Sequence, residues 1–272
     1  MSQDPAAALA ANNPADAALE LAALLSLSRP MPLRPRDAEL LEGADEFRFG
    51  PDDSRIAWAV GHGPPVLFVH GWGGRGTQMA GLARAVAADG YRSVFFDAGG
   101  HGDSRSEPIG FDTFIRDTSD LTTALGEDVH AWVGHSAGGL GMMAARRLLG
   151  LEAGRYVCIS APRFPYVPLE TLKSSTGVAD EVLDQVKPIL ATQFQTTWEG
   201  LEAGEAYVPD PGRPLLLAYD MDDERVRHAD ADAIADAWPG AEVLKTRTYG
   251  HNRILQAPEV WTGVRTFLRE AV

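Results

Sequence analysis

Eight short runs typical of β-strands recur along the chain from about residue 45 onward, with helix-compatible segments between most of them. Most of the runs are continuously apolar rather than alternating, which is typical of strands buried on both faces of a parallel sheet. In sequence order they read DEFRF, IAWAV, VLFVH, SVFFD, HAWVG, YVCIS, LLLAY and EVLKT. The pattern therefore predicts an α/β fold: a mostly parallel eight-stranded sheet covered by helices on both faces, with the first two runs as an antiparallel hairpin at one edge.

The spacing of these runs divides the chain into an arm, a core and a cap. Residues 1–43 precede the first run and form an alanine-rich N-terminal arm, whose leucines between residues 16 and 28 favour one face of a helix. Residues 44–160 and 213–272 contain the eight runs and form the predicted core. The intervening segment 161–212 is longer than one crossover helix requires, so we expect a small helical cap inserted after the sixth strand.

Side chains that can do chemistry follow three of the predicted strands. Ser136 lies in GHSAG at the end of the fifth run, an acidic cluster at residues 220–223 follows the seventh, and His251 follows the eighth. A serine between two glycines at the junction of a strand and a helix is typical of a nucleophile elbow, since flanking glycines leave room for the strained turn. Ligands of open parallel sheets bind beyond the carboxyl ends of the strands, where these residues would meet.

Two glycine-rich turns follow the third and fourth strands: HGWGG at residues 70–74 and DAGGHGDS at residues 97–104. The backbone N–H groups of the first turn can approach a carbonyl oxygen without obstruction by side chains. We interpret the second turn as a brace between neighbouring loops. His70 and His135 are interpreted as structural residues that bond to the backbone near the site.

The ordered set of motifs resembles the α/β-hydrolase family, and the resemblance runs from about residue 45 to the C-terminus. It implies Ser136 as the nucleophile, His251 as general base and then general acid, and an aspartate as the carboxylate that orients the imidazole. The family's register favours Asp223 as that acid, with Asp222 and Asp220 as alternatives.

Elementary chemistry agrees with these assignments. A serine hydroxyl is a poor nucleophile at neutral pH, so an imidazole must take its proton during attack, and a carboxylate must fix the imidazole tautomer. The developing oxyanion requires two N–H donors, which we assign to the backbones of Ala137 and Trp72, with Gly73 as the alternative to Trp72.

Aromatic residues of the cap are candidates for an apolar wall of the substrate pocket. We predict this role for Phe164, Tyr166, Phe194 and Trp198. The alternative is that the same side chains pack the cap onto the core.

Composition narrows the class of partner. The 272 residues carry a formal net charge of −14, which disfavours binding to nucleic acid or to an anionic membrane and favours a small-molecule substrate. The single cysteine, Cys158, lies in an apolar run and is expected to be a buried, inert thiol. No signal peptide or membrane anchor is recognised at the N-terminus, so a cytoplasmic location is expected. No metal-ligand spacing is recognised, and no cofactor is expected.

These observations predict a serine hydrolase that cleaves small uncharged carboxylic esters through an acyl-enzyme. The same residues would serve cleavage of an amide, a lactone, a thioester or a carbon–carbon bond. An alternative from another class is a non-catalytic protein that binds a small ligand on the same fold. The arm could also form the interface of a homo-oligomer.

Overall fold

The computed structural model describes residues 13–210 and 212–270. It contains one sheet of eight strands, and each strand falls on one of the runs predicted from the sequence. The strands are β1 (Asp45–Phe49), β2 (Arg55–Val60), β3 (Pro65–Val69), β4 (Arg92–Asp97), β5 (Ala131–His135), β6 (Arg155–Ile159), β7 (Leu215–Asp220) and β8 (Glu242–Thr246).

The strand order across the sheet is β1-β2-β4-β3-β5-β6-β7-β8. β2 is antiparallel to both β1 and β4, and every other neighbouring pair is parallel. The predicted edge hairpin and mostly parallel sheet are therefore confirmed. The carboxyl ends of β3, β5, β7 and β8 point the same way, which places the loops with candidate chemistry at one edge.

Helices cover both faces of the sheet. They are α1 (Pro14–Leu25), α2 (Pro35–Ala38), α3 (Thr77–Ala87), α4 (Phe111–Leu125), α5 (Ala137–Leu149), α6 (Val167–Thr176), α7 (Asp180–Thr192), α8 (Trp198–Glu202), α9 (Ala229–Ala237), α10 (Gly250–Arg253) and α11 (Pro258–Arg269). Short 3₁₀ turns lie at Glu39–Leu41, Pro51–Asp53, Glu205–Tyr207 and Ile254–Gln256.

Successive residues of each central strand point into two separate apolar cores. In β3, Leu67 and Val69 face the core beneath α4 and α5, while Val66 and Phe68 face the core beneath α3 and α11. All four side chains are fully buried. This alternation explains why the strand is apolar at every position: both of its faces are removed from water.

The cap consists of α6, α7 and α8, between β6 and β7, as predicted. The arm contains α1, which begins with Pro14 and has Asn13 as its N-cap: the Asn13 side chain accepts a hydrogen bond from the Ala15 N–H. Helix α1 packs against α7 and buries Ala18 and Leu21 in the main core, so the arm packs within its own chain. Residues 1–12 of the predicted arm lie outside the described residues.

Cys158 is fully buried, and this burial raises the pKa of its thiol to about 12, as expected of an inert cysteine.

Among the helices of the described residues, none has both the length and the apolar character required to cross a membrane.

Candidate active site

Ser136 occupies a sharp turn between β5 and α5. Its backbone has φ 54° and ψ −125°, a conformation that residues other than glycine seldom adopt and that is expected of a strained elbow. A side chain at Gly138 would overlap the backbone carbonyl of His70, and one at Gly134 would overlap the backbone of Gly139. The two glycines therefore let the helix approach the sheet closely enough to form the turn.

The imidazole of His251 bridges Ser136 and Asp223. Its Nε2 lies 3.0 Å from the Ser136 hydroxyl oxygen, and its Nδ1 lies 2.8 Å from a carboxylate oxygen of Asp223. Because the carboxylate accepts, Nδ1 carries the proton and Nε2 is free to take one from the serine. The structure thus brings the three predicted residues into one hydrogen-bonded chain, although they are separated by up to 115 positions in the sequence.

The carboxyl group of Asp223 is held on both oxygens. One accepts from His251, and the other accepts from the backbone N–H groups of Arg225 and Val226, at 2.8 and 3.0 Å. Burial alone raises the pKa of this carboxyl, but the hydrogen bonds from His251 and the backbone outweigh it, so that the pKa lies below its usual value. Asp223 is therefore ionised at neutral pH and able to stabilise an imidazolium.

The two alternative acids have other contacts. Asp222 accepts a hydrogen bond from the Thr248 N–H and is exposed. Asp220 is fully buried and accepts four hydrogen bonds: from Thr246 Oγ1 and from the N–H groups of residues 222, 249 and 250. Asp220 thus fastens the loop that carries His251 to the end of β7, a positioning role that the sequence did not indicate.

The HGWGG turn passes directly beside the elbow. A Cβ at Gly71 would lie 3.0 Å from the Cβ of Ser136, so this position admits only glycine without displacement. Trp72, Gly73 and Ala137 line the same cavity as Ser136. Within the described residues, the N–H groups of Trp72 and Ala137 donate to no protein acceptor, which leaves both available to a ligand. The arrangement is compatible with an oxyanion hole, and Gly73 stays an alternative donor.

His135, the residue before the serine, contacts the loop of His251. Its Nε2 donates to the backbone carbonyl of His251 at 2.9 Å, and the two rings lie 4.9 Å apart. Burial, together with the neighbouring His251, lowers the pKa of His135 to about 3, so the ring is neutral. The prediction that His135 bonds to the backbone is confirmed, and the bond connects the turn of Ser136 to the loop of His251.

The turns after β3 and β4 brace each other as expected. His70 donates from Nδ1 to the Gly71 carbonyl and accepts from the Ala98 N–H at Nε2. The buried carboxyl of Asp97 accepts from the N–H groups of Gly76 and Asp103, at 2.6 and 2.8 Å. These bonds hold the HGWGG turn in place from behind.

A cavity of about 320 Å³ opens above Ser136. Its walls come from the core loops, from the cap and from the arm. The lining residues are Leu25, Met31, Gly71, Trp72, Gly73, Gly74, Gln78, Phe111, His135, Ser136, Ala137, Pro162, Val167, Pro168, Thr171, Arg225, His251 and Asn252. No aspartate or glutamate of the described chain lines it, and Trp72 is part of the wall.

The prediction for the aromatic wall is wrong: none of the four cap residues lines this cavity. Phe194 is fully buried against Phe111, and Phe164 packs edge-on to Trp198 at 5.7 Å between ring centroids. The Tyr166 hydroxyl donates to Asp230 at 2.8 Å. Phe194 and Tyr166 thus join the cap to the core, while Phe164 and Trp198 pack against each other within the cap, beside a separate cleft.

Two residues of the arm, Leu25 and Met31, line the cavity and were not predicted to do so. The leucine-rich face of α1 was the one sequence signal available, and it identifies an amphipathic helix but not the surface that the helix covers. Cap residues Val167 and Thr171, from the first turns of α6, were missed for the same reason.

No group of three or more histidine, cysteine or carboxylate side chains suited to a metal ion occurs within residues 13–210 and 212–270. The polar groups that meet at this site are those of the serine, the imidazole, the carboxylate and the backbone donors.

Comparison with known proteins relates the chain to hydrolases. Residues 64–146 match the family model described as the alpha/beta hydrolase fold. The non-heme chloroperoxidase CPO-A1 of Kitasatospora aureofaciens is 36% identical over 161 residues, 57% of each chain, so this chain spans little more than half of that relative. The pimeloyl-[acyl-carrier protein] methyl ester esterase of Xanthomonas axonopodis pv. citri is 31% identical over 77% of this chain and 96% of the relative.

Among solved structures, a thermophilic esterase from Thermogutta terrifontis superposes with a TM-score of 0.60 at 17% sequence identity. The superposition covers 83% of this chain and 98% of the esterase. At that level of identity the likeness concerns the fold alone.

Proposed function

We propose that this chain, which belongs to the α/β-hydrolase family, is a serine hydrolase that cleaves small carboxylic esters through an acyl-enzyme. The observation that carries the proposal is the unbroken line of hydrogen bonds from Asp223 through His251 to Ser136, which ends in a cavity. A protein that only binds a ligand has no need of such a line. The esterase names of several sequence relatives agree with the proposal.

The first half-reaction begins when the Ser136 oxygen attacks the ester carbonyl carbon and His251 Nε2 takes the hydroxyl proton. The resulting imidazolium is stabilised by the ionised Asp223. The carbonyl oxygen becomes an oxyanion, which the N–H groups of Trp72 and Ala137 are placed to bind, with the positive end of the α5 dipole beside it. Collapse of the tetrahedral species breaks the bond to the alcohol, which leaves with the proton held by His251.

The second half-reaction repeats these steps with water. His251 takes a proton from a water molecule, whose oxygen attacks the acyl carbon, and the proton returns to Ser136 as the carboxylic acid departs. His251 acts as base and then as acid in each half. The loop of His251 is fixed by the bonds to Asp220 and by the bond from His135 to the His251 carbonyl, so little conformational entropy is lost when the imidazole is oriented for reaction.

The size and lining of the cavity support a small, uncharged ester. A volume of about 320 Å³ is at the lower end of the range of roughly 300–1,000 Å³ usual for ligand pockets. Its wall is largely apolar, with the aromatic faces of Trp72 and Phe111 and the aliphatic groups of the cap and arm. Arg225 is the one arginine of this lining and is exposed, so it stays solvated at the cavity mouth.

Turnover of a chromogenic butyrate ester by the wild-type chain and by Ser136→Ala tests the proposal. We expect the variant to lose about 10⁴-fold or more of kcat, since it lacks the nucleophile. Circular dichroism of both proteins confirms that the fold is retained. Equal turnover by the two proteins would overturn the proposal.

A further inference from the structure

A second cavity, of about 310 Å³, adjoins the one above Ser136. It lies beneath the arm, and its wall is mostly apolar: it includes Leu24 and Leu27 of the arm, Ile109 of the core and Leu172 of the cap. His101, which also lines it, has a pKa lowered chiefly by burial, so its ring is neutral at pH 7. Such a space suits an aliphatic chain better than a polar group.

The two cavities share Leu25, Trp72 and Gly73 in their walls. We call this shared wall the partition: Gly73 contributes only backbone to it, so its side chains are those of Leu25 and Trp72. Trp72 is packed against Phe111, with ring centroids 5.2 Å apart, and its backbone belongs to the HGWGG turn. Leu25 ends α1 and is only partly buried. Leu25 is thus the part of the partition that can change without disturbing the elbow.

The arm is fastened across the cavities at three points beyond α1. The Ser26 carbonyl accepts from the Ile109 N–H at 2.9 Å, and the Ser28 hydroxyl donates to the Gly100 carbonyl at 2.6 Å. The Met31 carbonyl accepts from Arg75 at 3.2 Å. These bonds fix the backbone that follows Leu25, and the packing of α1 against α7 of the cap fixes the backbone that precedes it.

From this arrangement we infer that Leu25 determines the length of straight alkyl chain that the substrate carries. Its side chain closes the passage to the second cavity, so the wild-type chain accepts short chains at Ser136, and removal of that side chain opens a continuous apolar channel. The inference rests on the proposed ester hydrolysis. It assigns the choice of substrate to the N-terminal arm, which precedes the part of the chain matched by the family model.

A series of p-nitrophenyl esters from acetate to decanoate tests the inference. We expect Leu25→Ala to raise the ratio of kcat/KM for decanoate over butyrate by about tenfold or more, since even one methylene accommodated in an apolar pocket changes selectivity by roughly 10-fold to 200-fold. Leu25→Phe, which enlarges the partition, is expected to lower the ratio. Leu19→Ala is the matched control, because Leu19 lies on the same helix with 58% of its surface exposed. A ratio in Leu25→Ala no different from that in Leu19→Ala overturns the inference.

Binding of decan-1-ol in the Ser136→Ala background, measured by calorimetry, separates this inference from the proposed function. The double variant Ser136→Ala, Leu25→Ala is expected to bind the alcohol about tenfold more tightly than Ser136→Ala alone. Equal affinities overturn the role of Leu25 even if esters are cleaved. Should no ester be cleaved by the wild-type chain, the proposed function fails, while the alcohol still tests the partition.

Discussion

The floor of the cavity and its cover are held together by different forces. The floor consists of loops at the carboxyl ends of four parallel strands, and its reactive atoms are fixed by short hydrogen bonds, such as those to both oxygens of Asp223. The cover consists of the cap and the arm, and its lining residues, among them Val167 and Leu25, contribute apolar contacts. Directional bonds position chemistry, whereas apolar contacts select size and shape.

This difference predicts that substitutions in the floor change kcat, while substitutions in the cover change KM and selectivity. A substitution that removes an interaction made only in the transition state, as expected in the floor, lowers kcat and kcat/KM together. A substitution that removes an interaction made equally in the ground state and the transition state, as expected in the cover, raises KM alone. The comparison fails if a cover variant loses turnover as severely as a floor variant.

The largest effect after removal of the serine is expected for Asp223→Asn. The amide cannot hold the Nδ1-protonated tautomer or stabilise the imidazolium, so we expect kcat to fall by about 10⁴-fold in the ester assay. Asp222→Asn is the matched control: Asp222 is exposed and contacts Thr248 rather than His251, so a change of no more than about twofold is expected. If Asp222→Asn were the more damaging of the two, the assignment of the acid would be wrong.

His135→Phe tests whether the bond between the elbow and the base positions His251. The variant keeps a ring of similar size but loses the hydrogen bond to the His251 carbonyl, and we expect kcat to fall by about tenfold with little change in KM. His130→Phe removes the same kind of bond, to the Leu268 carbonyl, at the opposite end of the sheet, and is expected to leave kcat unchanged. Equal losses in the two variants would argue against a positioning role.

The same residue makes stability depend on pH. His135 has a native pKa of about 3, below its value of about 6.5 in the unfolded chain. As the pH falls from 7 to 5, the unfolded chain therefore gains a proton there that the native state does not bind, which lowers the free energy of unfolding by about 2 kcal/mol. In urea denaturation at both pH values, the fall in the free energy of unfolding from pH 7 to pH 5 should be about 2 kcal/mol smaller in His135→Phe than in the wild type. A loss identical to the wild type would contradict a neutral, buried His135.

A smaller effect is expected in the cover. Val167→Ala enlarges the cavity at the cap, and we expect KM for a butyrate ester to rise about threefold to tenfold while kcat stays nearly constant. Val182→Ala, in a part of the cap that does not line the cavity, serves as its control. A tenfold loss of kcat in Val167→Ala would contradict the expectation that the cover affects KM and selectivity rather than kcat.

The smallest effect concerns the charge at the mouth. Arg225→Gln is expected to change kcat/KM for an uncharged ester by no more than about twofold, because the arginine is exposed and screened by solvent. Steady-state kinetics with a neutral butyrate ester measures this. A loss of tenfold or more would indicate that Arg225 binds the substrate and that the natural ester carries a negative charge.

The fold and the floor could be predicted from the sequence because each rests on a local signal. Strands buried on both faces are apolar throughout, as β3 shows, and parallel strands direct their carboxyl ends to one edge. Ser136 and His251 each follow a parallel strand of this sheet, so the prediction that they meet required no knowledge of distant packing. Among Asp220, Asp222 and Asp223, the resemblance to the family favoured Asp223, and in the structure Asp223 is the one of the three whose carboxylate contacts His251.

The cover could not be predicted in this way. Phe164 and Phe194 are apolar and aromatic, which favours burial, but composition does not say whether a side chain is buried in the core or faces a cavity. Met31 lies more than a hundred positions from Ser136 and reaches the cavity only because the arm crosses the finished core. Such contacts depend on tertiary packing rather than on any periodicity along the chain.

Covalent labelling tests the central claim most directly. The wild-type chain is treated with a fluorophosphonate at pH 7, and its intact mass and tryptic peptides are measured beside those of Ser136→Ala and Asp223→Asn. We predict one phosphonyl adduct on Ser136 in the wild type, slow labelling of Asp223→Asn and none of Ser136→Ala. A folded wild-type chain that stays unlabelled while it turns over esters, or an adduct on another residue, would contradict the account.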